Sequence, residues 1–147
     1  MTIPFLRRIP GLGGPALRQV VAASNQPAAQ AAAVVLTQLL AELPELLLAA
    51  VFELAKGQPL ATYASERDYQ PAQLAAPAVA MVRQLQANLV AQNQPAEELQ
   101  EVVFTLATQL HLLRLRADGQ LLYLAVHTHD TNLALARQLV QQAIERL

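Results

Sequence analysis

Cysteine and tryptophan are both absent from this 147-residue chain. With no thiol there is no disulfide, no thiolate zinc or iron–sulfur site and no cysteine nucleophile. Charge is scarce too. Only 14% of residues are Asp, Glu, Lys or Arg, against about 25% in an average soluble domain, while 54% are hydrophobic, the excess lying mostly in Ala and Leu. A chain of this makeup is expected to hide apolar surface in an oligomer. Long uninterrupted apolar runs are also missing. Those around 28–41 and 46–51 are broken by Gln30, Thr37, Gln38, Glu42, Pro44 and Glu45, short of the ~18 apolar residues of a membrane span. A cytoplasmic location is expected.

Enzymatic signatures are wanting as well. Serine occurs only at Ser24 and Ser65, and there is no nucleophile elbow, P-loop or dinucleotide fingerprint. Gly11-Leu12-Gly13-Gly14 opens no phosphate-binding helix of known spacing. The expectation is a protein with no enzymatic activity, no cofactor and no bound metal. The net charge of -1 gives no nucleic-acid signature.

The charge is unevenly placed. Residues 1–41 carry Arg7, Arg8 and Arg18 without an acid, and all eleven acids follow. Pro4, Pro10 and Pro15 argue against one regular helix at the start, so residues 1–26 are read as a flexible basic and apolar N-terminal arm. Residues 27–147 are read as one domain, and a chain of 147 residues is large enough to bury ~68–70% of its unfolded surface without a covalent staple.

Pro27 suits the first turn of a helix, which Leu36, Leu39, Leu40 and Leu43 continue at helical spacing until Pro44. Residues 45–54 read as a strand apolar on both faces, which belongs in the middle of a covered sheet. The Ala55-Lys56-Gly57-Gln58 turn leads to a short edge strand over 59–64, where Pro59 is tolerable. A second helix is expected over 71–92, its core stripe formed by Leu74, Ala78, Met81, Val82, Leu85 and Leu89, with Pro77 either preceding the regular helix or kinking it. A third strand covers 99–106.

The last 39 residues carry the clearest local signal. Residues 109–116 and 121–127 form two apolar runs around Asp118-Gly119, the composition of a two-residue type I′ hairpin, and Asp130-Thr131-Asn132 opens a C-terminal helix capped by Asp130 or Thr131. The order is thus α-β-β-α-β-β-β-α, an α/β (α+β) domain of three layers, α-β-α, around a five-stranded antiparallel sheet. The second helix lies on one face, the first and third on the other.

That order, and two local signatures, resemble the roadblock and dynein light chain family. Leu48-Ala-Ala-Val-Phe-Glu-Leu-Ala-Lys-Gly-Gln-Pro-Leu-Ala is similar to the family's first hairpin, and Asp130-Thr-Asn-Leu-Ala-Leu-Ala-Arg to its entry into the last helix. The resemblance covers 27–147, a roadblock-like domain, and departs where Ala107-Thr108-Gln109 joins two strands without the usual Gly. It implies a homodimer joined edge to edge through the third strand, with the second helices side by side. It further implies a dimeric platform of the kind that docks on and regulates small Ras-like GTPases, as bacterial gliding-motility regulators do, or that serves as a dynein or membrane scaffold subunit.

Three groups of side chains are candidates for chemistry or contact. His127 and His129 share a strand face and either could ligate zinc, but a two-residue loop makes paired positions of the last hairpin sum to 237, which sets His111 opposite Val126 on the other face. The same register sets Tyr123 against Arg114 on the face of Arg116, which suits a cation–π pair ahead of the alternative that the two arginines bind an acidic partner, while Glu97, Glu98 and Glu101 read as a solvated strand entrance. On the second helix, Arg83 lies about 160° from the core stripe among Ala76, Val79, Ala80, Ala87 and Val90, too apolar for a solvent face. The expected contact surfaces are therefore Val79, Arg83, Ala87 and Val90 of this helix, and Val102, Val103 and Phe104 of the third strand.

A platform of this kind raises GTP hydrolysis by holding switch loops or by supplying an arginine, worth ~10³–10⁵ in rate. Arg83 is the candidate arginine, and the first route is favoured because nothing sets an arginine on a projecting loop. Two other classes stay open. A membrane-associated scaffold would anchor through the N-terminal arm, and a small-molecule or metal sensor would use the His127/His129 end.

Overall fold

The computed structural model describes residues 19–66, 70–93 and 97–147. Along the chain the elements are β1 (Val21–Ala22), α1 (Pro27–Glu42), β2 (Leu48–Glu53), β3 (Gln58–Ala64), α2 (Pro71–Ala91), β4 (Glu101–Thr105), β5 (Gln109–Leu115), β6 (Gln120–His127) and α3 (Leu133–Glu145). The strands form one antiparallel sheet in the order β1-β3-β2-β6-β5-β4.

The expected three layers are present, and the sheet has six strands rather than five. The additional one comes from the segment assigned to the arm. Val21 and Ala22 pair with Thr62 and Ala61 of β3, and Ala23 N–H donates to the Leu60 carbonyl at 2.8 Å. This strand supplies two residues, too few for periodicity to reveal. Residues 1–18, which hold most of the expected arm, lie outside the described residues.

β2 lies centrally between β3 and β6, and its residues from Leu48 to Phe52 are buried. Their alternation feeds two cores. Ala49 and Val51 join Leu112, Leu122 and Leu124 beneath α1 and α3, while Leu48, Ala50 and Phe52 join Leu113, Leu121 and Tyr123 beneath α2. Each fully buried Leu or Phe contributes about 1.5–3 kcal/mol. Pro59 sits where the β2–β3 register shifts, a bulge that needs no ladder hydrogen bond from it.

Two local expectations are corrected. The turn of the last hairpin is a three-residue loop. Gly119 N–H donates to the Arg116 carbonyl at 3.1 Å and Arg116 N–H to the Gln120 carbonyl at 2.8 Å. Gly119 has φ +89°, while Asp118 is not among the described residues with positive φ, so the loop is a type I turn closed by a left-handed Gly rather than a type I′ turn. Pairs consequently fall one residue away from the expected register, Arg114 opposite Leu122 and His111 opposite Ala125, and a shift of one moves each side chain to the other face. The cap of α3 is Asn132, not Asp130 or Thr131. Its Oδ1 accepts from Leu135 N–H at 2.8 Å, while Thr131 is buried.

Candidate functional site

α2 runs through Pro77 as one helix and packs against β2 and β3. Among its described side chains Ala78, Val79 and Val82 are buried, Met81 and Leu89 are half-buried, and Leu85 is exposed; Leu74 of the expected stripe lies outside them. At 100° per residue the buried arc is rolled roughly 45° from the expected stripe, toward Val79 and away from Leu85. Val79, expected on the outward face, is 3% exposed and belongs to the packing; Ala87 and Val90 are exposed as expected, Val90 at 70%. Leu85 and Val90 are thus exposed apolar residues on opposite sides of the buried arc, about 140° apart around the helix.

The same roll draws Arg83 to the sheet. Its guanidinium donates to the carbonyls of Leu54 and, at 3.2 Å, Ala55. Leu54 N–H in turn donates to the Gly119 carbonyl at 2.9 Å, so α2, the β2–β3 turn and the β5–β6 turn are tied in sequence. A guanidinium held this way is not poised as a projecting arginine. The sequence wheel missed this because the turn lies off the helix, 28 and 29 residues away in the chain.

β4 is the last strand of the sheet, paired only with β5. Val103 packs toward α1 and α3, Val102 and Phe104 toward the α2 face, and all three are only partly buried. One side of this strand leaves its backbone donors and acceptors unpaired within the sheet. Glu101, expected to be solvated, is instead an anchor. Its carboxylate accepts from Arg137 Nε of α3 at 2.6 Å and from Arg114 at 3.3 Å. Arg114 therefore pairs with an acid on the α1/α3 side, and Tyr123, on the opposite face, is not its partner.

Tyr123 serves His111. The hydroxyl lies 2.6 Å from Nδ1, and Gln109 Oε1 lies 2.9 Å from Nε2; Phe104 stacks on the imidazole with centroids 4.6 Å apart. Burial lowers the His111 pKa below 6.5 and pushes Tyr123 up to about 12. The arrangement suits a neutral imidazole whose Nδ1 accepts a hydrogen bond from the phenol O–H and whose Nε2–H donates to Gln109 Oε1. His111 lies on the same face as His127, since Ala125 opposes it, contrary to the expected register. Both its nitrogens are nonetheless occupied. His127 and His129 stack at 5.0 Å, and His129 Nε2 lies 3.3 Å from Asp130 Oδ1. Among the described residues no three His or acidic side chains converge as a metal site, and none of the helices is long and apolar enough to cross a membrane.

An open groove of about 500 Å³ runs between the C-terminal part of α2 and the β5–β6 turn. Leu54, Leu89, Val90, Leu99 and Leu115 give it an apolar lining, with Glu97 and Glu98 beside them.

No protein-family model matches the sequence, and no curated protein does. The fold does have solved counterparts. A structure of Myxococcus xanthus MglB superposes with a TM-score of 0.72 at 11% identity, over 84% of this chain and 90% of that one. The gliding protein MglB from Thermus thermophilus gives 0.67 at 19% identity, over 86% and 92%. A Roadblock/LC7 domain from Streptomyces avermitilis gives 0.63 at 14% identity, over 76% and 90%. At these identities the likeness is one of fold, and the chain has the roadblock fold.

Proposed function

We propose that this roadblock-fold chain is a non-enzymatic, homodimeric regulatory scaffold that binds a small Ras-like GTPase and modulates its nucleotide cycle. The observation that carries the reading is the open edge of β4. An edge strand with Val102, Val103 and Phe104 partly buried is a template for pairing with another chain, and the isologous solution is a second copy of the same edge. Pairing there continues the sheet across two subunits and brings the Leu85 flank of each α2 toward the other. The GTPase then engages the outer surface of the paired helices, where Ala87 and Val90 lie exposed.

The reading is supported by the fold shared with the two MglB structures together with the resemblance of the hairpin and last-helix signatures to the roadblock and dynein light chain family, some of whose members regulate Ras-like GTPases. Arg83, held on the Leu54 and Ala55 carbonyls, sets the helix against the turn, and the platform works by holding the switch loops rather than by lending this guanidinium. The direct test is binding of the purified dimer to Ras-like GTPases of the same organism, each loaded with GDP and with a non-hydrolysable GTP analogue. Saturable binding that prefers one nucleotide state and weakens in Val90→Asp is expected. Failure of a well-folded dimer to bind any of them in either state overturns the GTPase assignment.

A further inference from the structure

The groove beside α2 differs in charge from its surroundings. Its two arginines are already engaged, Arg114 with Glu101 and Arg116 with Asp118 at 3.5 Å. Its two acids are not. Glu97 and Glu98 are exposed and form no ion pair with another described residue. An apolar trough with unneutralised acids beside it fits a segment that is apolar, basic and free of acids.

The chain itself contains one segment of that description outside the described residues. Residues 1–18 carry Ile3, Phe5, Leu6, Ile9 and Leu12 around Arg7 and Arg8, with no Asp or Glu. We propose that this N-terminal segment occupies the groove of its own subunit, with the Phe5–Ile9 stretch over the Leu89–Leu115 trough and Arg7 and Arg8 against Glu97 and Glu98.

The span permits it. β1 lies four strand spacings from β5, about 19 Å, and the groove sits at the end of the sheet opposite to that from which β1 is entered, about 20 Å along the strands. The direct separation is therefore about 28 Å, and the residues between Phe5 and Gln19 reach about 46 Å when extended. The slack covers a detour around α2. Because Val90 belongs both to the groove and to the helix surface assigned above to the GTPase, an occupied groove obstructs that surface. The occupancy itself does not depend on the GTPase assignment.

The absence of cysteine makes the test clean. Thr2→Cys in the full chain gives a single site for a nitroxide, and amide resonances are followed with the label oxidised and reduced. Selective loss of the Leu89, Val90, Leu99 and Leu115 amide signals is expected. The loss should disappear in Glu97→Lys/Glu98→Lys and return when Arg7→Glu/Arg8→Glu is added. It should persist unchanged when labelled chains are diluted with unlabelled, spin-free ones. No loss at these amides, insensitivity to the charge exchange, or transfer of the effect to the diluting chains each overturns the proposal, the last by making a second copy the occupant.

Discussion

Glu101 and Arg137, 36 residues apart, meet at 2.6 Å, Oε1 to Nε, and this contact fastens the edge strand β4 to α3. The carboxylate side chain is 15% exposed and also receives Arg114, whereas Arg137 is 54% exposed. Removing the shared acceptor therefore costs more than removing the exposed donor. Hydrogen bonds to charged groups are worth about 1.5–3 kcal/mol, and leaving a partner unpaired raises the loss, so Glu101→Ala should lower unfolding free energy by about 2 kcal/mol. Arg137→Ala should cost no more than about 1 kcal/mol, as exposed ion pairs do. Urea denaturation of both single variants and the double variant measures the coupling. Equal losses would show that Glu101 is no shared anchor.

Stability should fall with acid through His111. Its folded pKa lies below the ordinary 6.5 because burial disfavours the imidazolium. In this window the unfolded chain binds more protons than the folded one, so stability rises with pH. The contribution of the neutral ring is complete above 6.5 and is lost as pH drops from there through the lowered folded pKa. His111→Gln should flatten this part of the pH–stability profile relative to the unmutated chain. An unchanged slope would mean that the ring is not the group responsible.

Gly119 should tolerate no side chain well. Nothing lies within 4 Å of a Cβ there, so the cost is conformational, from φ +89°. Left-handed backbone costs an L-residue roughly 1–2 kcal/mol, and Gly119→Ala should destabilise by that amount, as read from the urea midpoint. A neutral result would mean that the loop adopts another turn.

The hairpin also shows where sequence reasoning succeeded and where it did not. Apolar runs bounded by turn residues placed β2, β5 and β6, and the strand with no polar face proved central because both faces are buried. The Asp118-Gly119 pair announced a hairpin correctly, but a type I′ turn and a type I turn with a left-handed Gly share that composition and differ by one residue in length. That difference put His111 and Tyr123 on the wrong faces. On α2, the apolar stripe identified the helix but not its roll, since Val79 and Leu85 are both apolar and only the position of β3 decides between them. Arg83 looked free because its partners are the backbone carbonyls of Leu54 and Ala55, which no side-chain pattern announces.

Arg83→Ala should lower stability by about 1 kcal/mol, the net worth of its exposed hydrogen bonds to Leu54 and Ala55. It should leave the rate of GTP hydrolysis in a saturated complex nearly unchanged. A fall of about 10³-fold in hydrolysis at saturation, with folding intact, would instead make Arg83 the supplied arginine.

The mass of the full chain in solution tests the central claim most directly. Sedimentation equilibrium at micromolar concentration should return twice the chain mass of 15.9 kDa, and Val103→Pro, which removes a backbone donor in the middle of β4, should shift the population toward monomer. A monodisperse monomer for the unmutated chain would contradict pairing through β4, and with it the dimeric platform on which the functional reading stands.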